Sequence, residues 1–207
     1  MTPELKTSHI VLKPYYAGNV TDDHVRWLND PEIVRFSEQR HKVHTLESIH
    51  KYVNDLHVTP GSHIWGIYLP GSPAFGTITA HVDEANGVAN MGILIGERMF
   101  WGKGYGQEAW LMVCNWLFET GVRKIEAGCH YENRAMKKLA AKCGMTHEAV
   151  IHDHFVVDGK PQHLFLYAKM KPSSVRVSVD ESFTFKPLWT GDSEDHPEAR
   201  RSGSVRG

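Results

Sequence analysis

The chain has 207 residues, 41% of them hydrophobic and 23% charged, which is the balance of a globular protein with one sizeable core. Its formal net charge of -1 excludes a general attraction for nucleic acid or for an anionic membrane surface. No apolar run approaches the ~20 residues that a membrane-spanning helix needs, and residues 1 to 8 are too polar for a signal peptide. We therefore expect a cytoplasmic protein with neither nucleic acid nor membrane as a partner.

The cysteines and histidines do not form a metal-binding pattern. Cys114, Cys129 and Cys143 lie in apolar surroundings without CxxC spacing, which is typical of reduced core residues. The histidines are dispersed, and only His152 and His154 lie two apart on one predicted strand, with no third ligand beside them. The sequence predicts no metal site.

The first part of the chain predicts one strand and two helices. The strand runs from His9 to Pro14. Thr21 is an N-cap that opens a helix ending near Asn29. A loop rich in aromatic, basic and carboxamide groups follows. Thr45 then caps a second helix, whose apolar face consists of Leu46, Ile49, Val53 and Leu56.

The middle of the chain predicts an antiparallel meander of three strands, which begin at His63, Ala74 and Val88. If Asn86-Gly87 is a two-residue hairpin turn, Asp83 faces Asn90 and His81 faces Gly92. The side chains of His81, Asp83 and Asn90 then share one face of the sheet. Alternate residues line opposite faces, so Met91, Ile93 and Ile95 point into the core.

The last of these strands leads into a glycine-spaced turn and a helix. Gly102, Gly104 and Gly106 stand at alternate positions, and the apolar spacing of a helix follows from Glu108 to Glu119. Backbone N–H groups of such a turn converge on an anion at a helix N-terminus. The alternative is a tight connection without a ligand. The spacing fits neither a P-loop nor a dinucleotide fingerprint, and it favours another kind of phosphate site.

The remaining elements complete one domain over residues 1–171. A strand from Lys124 to His130 is predicted to run parallel to the strand that begins at Val88. A helix from Arg134 ends at Gly144, and a hairpin from Thr146 to Met170 turns at Asp158-Gly159. The polar segment 172–207 is predicted to be a largely disordered extension, with 175–185 as a candidate additional strand.

Two blocks carry a resemblance to a known family. The run MGILIGERMFWGKGYGQEA resembles the acyl-CoA pyrophosphate loop of the GNAT superfamily of N-acyltransferases. Trp101 replaces the Arg or Gln of many members, as in the branch that contains the ribosomal-protein alanine N-acetyltransferases, and the segment WLNDPE resembles that of amino-sugar N-acetyltransferases. Asn133 to Met145 resembles the second conserved helix of the family. The resemblance implies an α+β fold whose twisted, mostly antiparallel sheet has two central parallel strands splayed apart and helices on both faces.

The resemblance also implies acetyl-CoA as co-substrate, held between the splayed strands. Asn133 is expected both to cap its helix and to hydrogen-bond the co-substrate. Lys137 is placed to reach a phosphate, although a solvated basic face is the alternative. The implied co-substrate residues are Ile93, Leu94, Ile95, Trp101, Gly102, Lys103, Gly104, Tyr105, Gly106, Gln107, Asn133 and Lys137.

The chain departs from the family pattern at the catalytic base. Asn90 stands where many relatives carry Glu, and an amide cannot accept the proton. Ala140 stands where some carry a general-acid Tyr. Our hypothesis is that His81 or His130 relays the amine proton through water ordered by Asn90. Loss of the proton to bulk water is the alternative.

The acceptor is expected to bind the loop between the first two helices. Candidate substrate-binding residues are Trp27, Phe36, Glu38, Arg40 and Asp83, with Trp27 and Phe36 alternatively closing the core. The leading hypothesis is acetyl transfer to a primary amine of a small molecule such as a nucleotide-linked amino sugar. The alternatives are the N-terminal amine of a protein and a non-catalytic acyl-CoA-binding module. A monomer or a homodimer fits the sequence.

Overall fold

A computed structural model describes residues 1 to 172. This part of the chain contains strands β1 (Leu5–Lys6), β2 (Val11–Pro14), β3 (Ser62–Tyr68), β4 (Ala74–Asp83), β5 (Val88–Ile95), β6 (Lys124–His130), β7 (Thr146–Val157) and β8 (Lys160–Met170), and helices α1 (Asp22–Asn29), α2 (Leu46–Val58), α3 (Tyr105–Glu119) and α4 (Arg134–Lys142). None of these helices is long and apolar enough to cross a membrane. The disorder and additional strand predicted for the C-terminal extension concern residues outside the described part, apart from Pro172.

The described strands form one sheet in the order β1-β2-β3-β4-β5-β6-β8-β7. Its neighbouring strands are antiparallel except for β5 and β6. These two pair in parallel only from Val88–Asn90 to Lys124–Glu126. Beyond Asn90 they separate, while β6 continues along β8 as far as His130. The predicted splayed pair at the centre of a mixed sheet is therefore confirmed.

Helices cover both faces of the sheet, as predicted. On one face, α3 buries Trp110 and Leu117 in a core that includes Trp65 and Ile78 of the sheet. On the other face, α2 packs its apolar stripe of Ile49, Val53 and Leu56 against Ile64 of β3 and Tyr15. The fold class predicted from the sequence is confirmed by this arrangement.

Local sequence signals explain most of the helix bounds. The Thr45 hydroxyl accepts from the Ser48 N–H at 3.2 Å, and the Ser48 hydroxyl accepts from the Thr45 N–H at 2.9 Å. Such a reciprocal cap contributes about 1 kcal/mol to helix stability. Helix α3 begins at Tyr105, three residues before the predicted start, because the chain enters helical geometry directly after left-handed Gly104.

The predicted register of the β4–β5 hairpin is wrong by two residues. His81 pairs with Asn90, and Asp83 pairs with Val88. Residues 84–87 form a four-residue turn because the Asp83 carboxylate accepts from both the backbone N–H (3.1 Å) and the side-chain amide (2.6 Å) of Asn86. An even shift keeps the predicted faces, so Met91 is buried as expected.

Candidate active site

A large cavity opens where β5 and β6 separate. Its volume is about 1420 Å³, which exceeds the 300–1,000 Å³ typical of a site for one small ligand. Its walls are α1 and α2, the loop between them, β4 and β5, the glycine turn, and α4. The cavity therefore has room for two ligands, one beside the glycine turn and one beneath the loop.

The glycine turn presents backbone donors to this cavity. Gly102 and Gly104 have φ angles of +72° and +93°, which glycine adopts without strain. Gly104 is the N-cap of α3 and supplies no side-chain cap. The first helical amide with a partner is that of Glu108, which donates to the Gly104 carbonyl at 3.0 Å. The N–H groups of residues 105 to 107 are therefore left for an anion, which the helix dipole also favours.

The edge of β5 beside the glycine turn has no strand partner. From Met91 to Ile95 the side facing β6 is unpaired within the described residues. Gly92, Ile93, Leu94 and Ile95 line the cavity along this edge. Trp101 covers the end of β5, where its indole N–H donates to the Ile95 carbonyl at 2.8 Å. An extended ligand that starts at the glycines can thus lie along β5.

Helix α4 supplies the opposite, cationic wall. The Asn133 side chain caps α4 by accepting from the Met136 N–H at 3.0 Å, as predicted. Lys137 donates to the Tyr131 carbonyl at 2.9 Å and lies 4.5 Å from the Tyr131 ring centroid. Four basic side chains of this helix line the cavity: Arg134, Lys137, Lys138 and Lys142.

Hydrogen bonds of Glu97 and Arg98 join α1 and the loop after it to the connection after β5. The Glu97 carboxylate accepts from the Trp27 indole at 2.8 Å and from Arg26 at 2.5 Å. Arg98 donates to both oxygens of Asp30, at 2.7 and 2.6 Å, and also to Glu32. These contacts set the position of the loop wall relative to β5.

Two buried histidines of this wall were missed by the sequence reasoning. His24 and His44 both line the cavity and are 3% and 9% exposed. Asn29 holds the backbone of His44, accepting from its N–H at 2.9 Å and donating to its carbonyl at 2.8 Å. Nε2 of His44 lies 3.2 Å from the Gln39 carbonyl, which can only accept. The proton is therefore on Nε2, and the lone pair is on Nδ1.

Comparison with protein families shows to which family the chain belongs. Residues 10–146, about two thirds of the chain, match the model of the acetyltransferase (GNAT) domain. The chain belongs to the GNAT acetyltransferase family. The co-substrate of this family is acetyl-CoA. The described residues fit it, since the uncapped glycine turn suits its pyrophosphate, the open edge of β5 suits its extended arm, and the α4 cations suit a further phosphate.

Solved structures of other acetyltransferases have the same fold. One is the microcin self-immunity acetyltransferase MccE in complex with acetyl-CoA and AMP, at TM-score 0.68 and 19% identity over 79% of this chain and 93% of that one. A second is RimL, a ribosomal alpha-N-protein acetyltransferase in complex with coenzyme A, at TM-score 0.74 and 16% identity over 81% and 98%. A third is the Vibrio cholerae spermidine N-acetyltransferase with CoA and spermine, at TM-score 0.71 and 15% identity over 80% and 97%. No curated protein sequence gives a significant match.

Most residues expected to bind acetyl-CoA lie around the GNAT cavity. Lys103 and Tyr105 are the exceptions. The Lys103 ammonium lies 5.9 Å from the Phe100 ring centroid. Tyr105 packs on Phe75 at 5.7 Å between ring centroids. The residues that line the cavity are Ile93, Leu94, Ile95, Trp101, Gly102, Gly104, Gly106, Gln107, Asn133 and Lys137.

The structure does not bring the predicted proton-relay residues into the GNAT cavity. Asn90 and His81 are paired and exposed, where His81 Nδ1 lies 3.0 Å from the Ser62 hydroxyl. His130 is buried, stacked on Phe155 at 3.8 Å between ring centroids. Burial, followed by the Arg40 charge, lowers the pKa of His130. Neither of its ring nitrogens has a hydrogen-bond partner within the described residues, and its Nε2 lies 3.6 Å from the Glu38 carboxylate.

The predicted acceptor residues are divided between the cavity, the core and the surface. Phe36 lines the cavity. Trp27 is 1% exposed and lies beneath the cavity. Arg40 joins the loop to β7 by donating to the Val156 carbonyl at 3.1 Å, and it also donates to Glu38 at 2.7 Å. Asp83 is the last residue of β4, before the hairpin turn, and does not line the cavity. Among the described residues, no group of three or more His, Cys, Asp and Glu side chains is arranged to hold a metal ion.

Proposed function

We propose that this protein transfers the acetyl group of acetyl-CoA to a primary amine of a small, anionic, hydroxylated molecule, such as a nucleotide-linked amino sugar. The observation that carries the proposal is that one cavity combines the uncapped glycine turn with a second, polar compartment under the α1–α2 loop. The second compartment is lined by hydroxyl and imidazole groups from four elements: Ser48, Tyr52, Thr77, Thr79, His24 and His44.

The charges around the cavity support an anionic acceptor. Six cationic side chains line it: Arg35, Lys42, Arg134, Lys137, Lys138 and Lys142. The only two carboxylates of its described lining are partly compensated, since Glu32 pairs with Arg98 and Glu132 lies 4.0 Å from Arg35. Because the four cations of α4 are proposed to hold a phosphate of acetyl-CoA, Arg35 and Lys42 are the two cations of the described lining that remain for the acceptor, and they would attract acceptor phosphates.

The chain also supplies groups for the chemical step. The thioester of acetyl-CoA provides the acetyl group, and the coenzyme A thiol is released. The unpaired backbone of β5 can donate to the carbonyl oxygen on which negative charge develops. The amine must lose a proton before its lone pair can attack. His44 is our candidate to receive this proton, directly or through water, because the Nδ1 lone pair belongs to a buried imidazole in the cavity wall.

The relay through His81, His130 and Asn90 stays a prediction from the sequence. Substitutions of single histidines distinguish this relay from the role proposed for His44. His44→Gln should lower kcat for the amine while acetyl-CoA binding is kept. Unchanged turnover in His44→Gln, together with a large loss in His81→Gln or His130→Gln, would return the role to the residues predicted from the sequence.

The function is tested by the release of free coenzyme A, measured with a thiol-reactive dye, across a panel of amines. The panel contains amino sugars, nucleotide-linked amino sugars, polyamines and peptides with free N-termini. We expect the nucleotide-linked amino sugars to give the largest kcat/KM. Preference for peptides would instead support a protein N-terminal acetyltransferase. Tight acetyl-CoA binding by calorimetry without release for any amine would contradict turnover and indicate a binding module.

A further inference from the structure

His24 occupies a defined place above the sheet in the acceptor compartment. Its ring centroid lies 5.6 Å from that of Tyr15 and 5.5 Å from that of Trp27. The Tyr15 ring covers Gly66 of β3, where an added Cβ would come within 2.7 Å of it. The Trp27 ring covers Gly96 after β5, where an added Cβ would come within 2.0 Å. His24 is therefore held between β3 and the end of β5.

The strands beneath His24 carry other residues of the cavity wall. Gly66 of β3 pairs with Thr77 of β4, and Thr77 pairs with Leu94 of β5. Paired residues share a face of the sheet, so this row runs under the aromatic cluster. Thr77 and Leu94 both line the cavity. His24 thus faces the segment of β5 where the acetyl-CoA arm is proposed to lie.

The hydrogen bond to Tyr15 determines which nitrogen of His24 carries the proton. The Tyr15 hydroxyl is buried and lies 3.2 Å from His24 Nδ1, its one hydrogen-bond partner within the described residues. A buried hydroxyl is costly when its proton has no acceptor. We therefore assign the phenol as donor to Nδ1, which places the imidazole proton on Nε2. Burial, and then the neighbouring His44, lower the pKa of His24 to about 4, so the ring is neutral near pH 7.

The Nε2–H group of His24, a residue of the cavity lining, has no protein acceptor within the described residues, 1 to 172. Nε2 of His24 is also not fully enclosed by protein atoms. His24 lines the large cavity. The acceptor compartment therefore contains a fixed, neutral hydrogen-bond donor without a protein acceptor.

We propose that Nε2–H of His24 donates to an oxygen of the acceptor substrate, so that the protein selects primary amines that carry a hydroxyl or carbonyl oxygen close to the amine. This inference rests on the proposed acetyl transfer and narrows its substrate class. An amine without such an oxygen leaves the buried donor unpaired, which disfavours its binding and its transition state. We expect a discrimination of about tenfold or more from this one contact.

The test uses two ring amines that differ in their oxygens, glucosamine and cyclohexylamine, and measures the ratio of their kcat/KM values. His24→Met removes the donor at similar length, whereas His24→Gln keeps an amide N–H. The ratio is obtained within one preparation, so differences in folded fraction cancel. The different basicity of the two amines is also common to all variants.

We expect His24→Met to lower the glucosamine preference about tenfold, His24→Gln to keep part of it, and Tyr15→Phe to reduce it by releasing the imidazole tautomer. A ratio that is the same in wild type and His24→Met would overturn the inference while acetyl transfer stands. No coenzyme A release with any amine would instead overturn the proposed function, and the inference with it.

Discussion

Substitution of Gly104 by alanine separates the stability of the glycine turn from its binding role. Gly104 has φ +93°, and an added Cβ meets no atom within 4 Å. The cost is therefore backbone strain of about 1–2 kcal/mol, offset in part by the lower entropy of the unfolded chain. A net loss of about 1 kcal/mol lowers Tm by about 2–4 °C for a domain of this size.

The added methyl group projects into the cavity, where the α3 amides are proposed to hold a pyrophosphate. We expect the Kd for acetyl-CoA, measured by calorimetry, to rise about tenfold or more because these donors lose their close approach. Gly121→Ala is the matched control, since Gly121 has φ +105°, is open to a Cβ, and follows the other end of α3. It should show the same fall in Tm and an unchanged Kd. Equal Kd values for the two variants would refute the role of the turn.

Three further predictions concern α1, α2 and the residues that they contact. The pKa of His24 falls from its ordinary value of 6.5 to about 4 on folding, so the unfolded chain binds the proton first and stability declines as pH falls below 6.5. Urea unfolding should show that, between pH 7 and pH 5, the free energy of unfolding falls by about 2 kcal/mol less in His24→Gln than in wild type. An equal fall in both proteins would contradict the burial assigned to His24. In Gly96→Ala the added Cβ would lie 2.0 Å from the Trp27 ring, so we expect the free energy of unfolding to fall by about 1–3 kcal/mol. Gly18→Ala places its Cβ in open space and should leave the free energy of unfolding nearly unchanged in the same assay. Thr45→Ala should cost about 1 kcal/mol through the lost cap of α2, and an unchanged urea midpoint would contradict it.

Elements with strong local signals were predicted well from the sequence. The start of β4 and both bounds of β6 agree with the prediction, because turn residues and alternating apolar residues mark these positions. The splaying of β5 from β6 followed from the family resemblance and is confirmed. The predicted β4–β5 register was wrong, because Asn86-Gly87 fits the last two positions of a four-residue turn as well as a two-residue turn.

The acceptor compartment was harder to predict because its contacts join residues that lie far apart in the sequence. The role proposed for His44 depends on Asn29 and Gln39, and that proposed for His24 depends on Tyr15. One signal was available for His24, which lies three residues before Trp27 and therefore on the same buried face of α1. A polar residue on an apolar helix face is a candidate site residue, but on this face Trp27 and not His24 was named as one from the sequence.

The central claim is that the cavity supports transfer of an acetyl group to an amine nitrogen. The most direct measurement is mass spectrometry of the product formed from acetyl-CoA and the best amine of the panel, before and after hydroxylamine treatment. An acetylated product that survives hydroxylamine is an amide, which is the predicted result. A product that loses its acetyl group to hydroxylamine, or no acetylated product despite tight acetyl-CoA binding, would contradict the account.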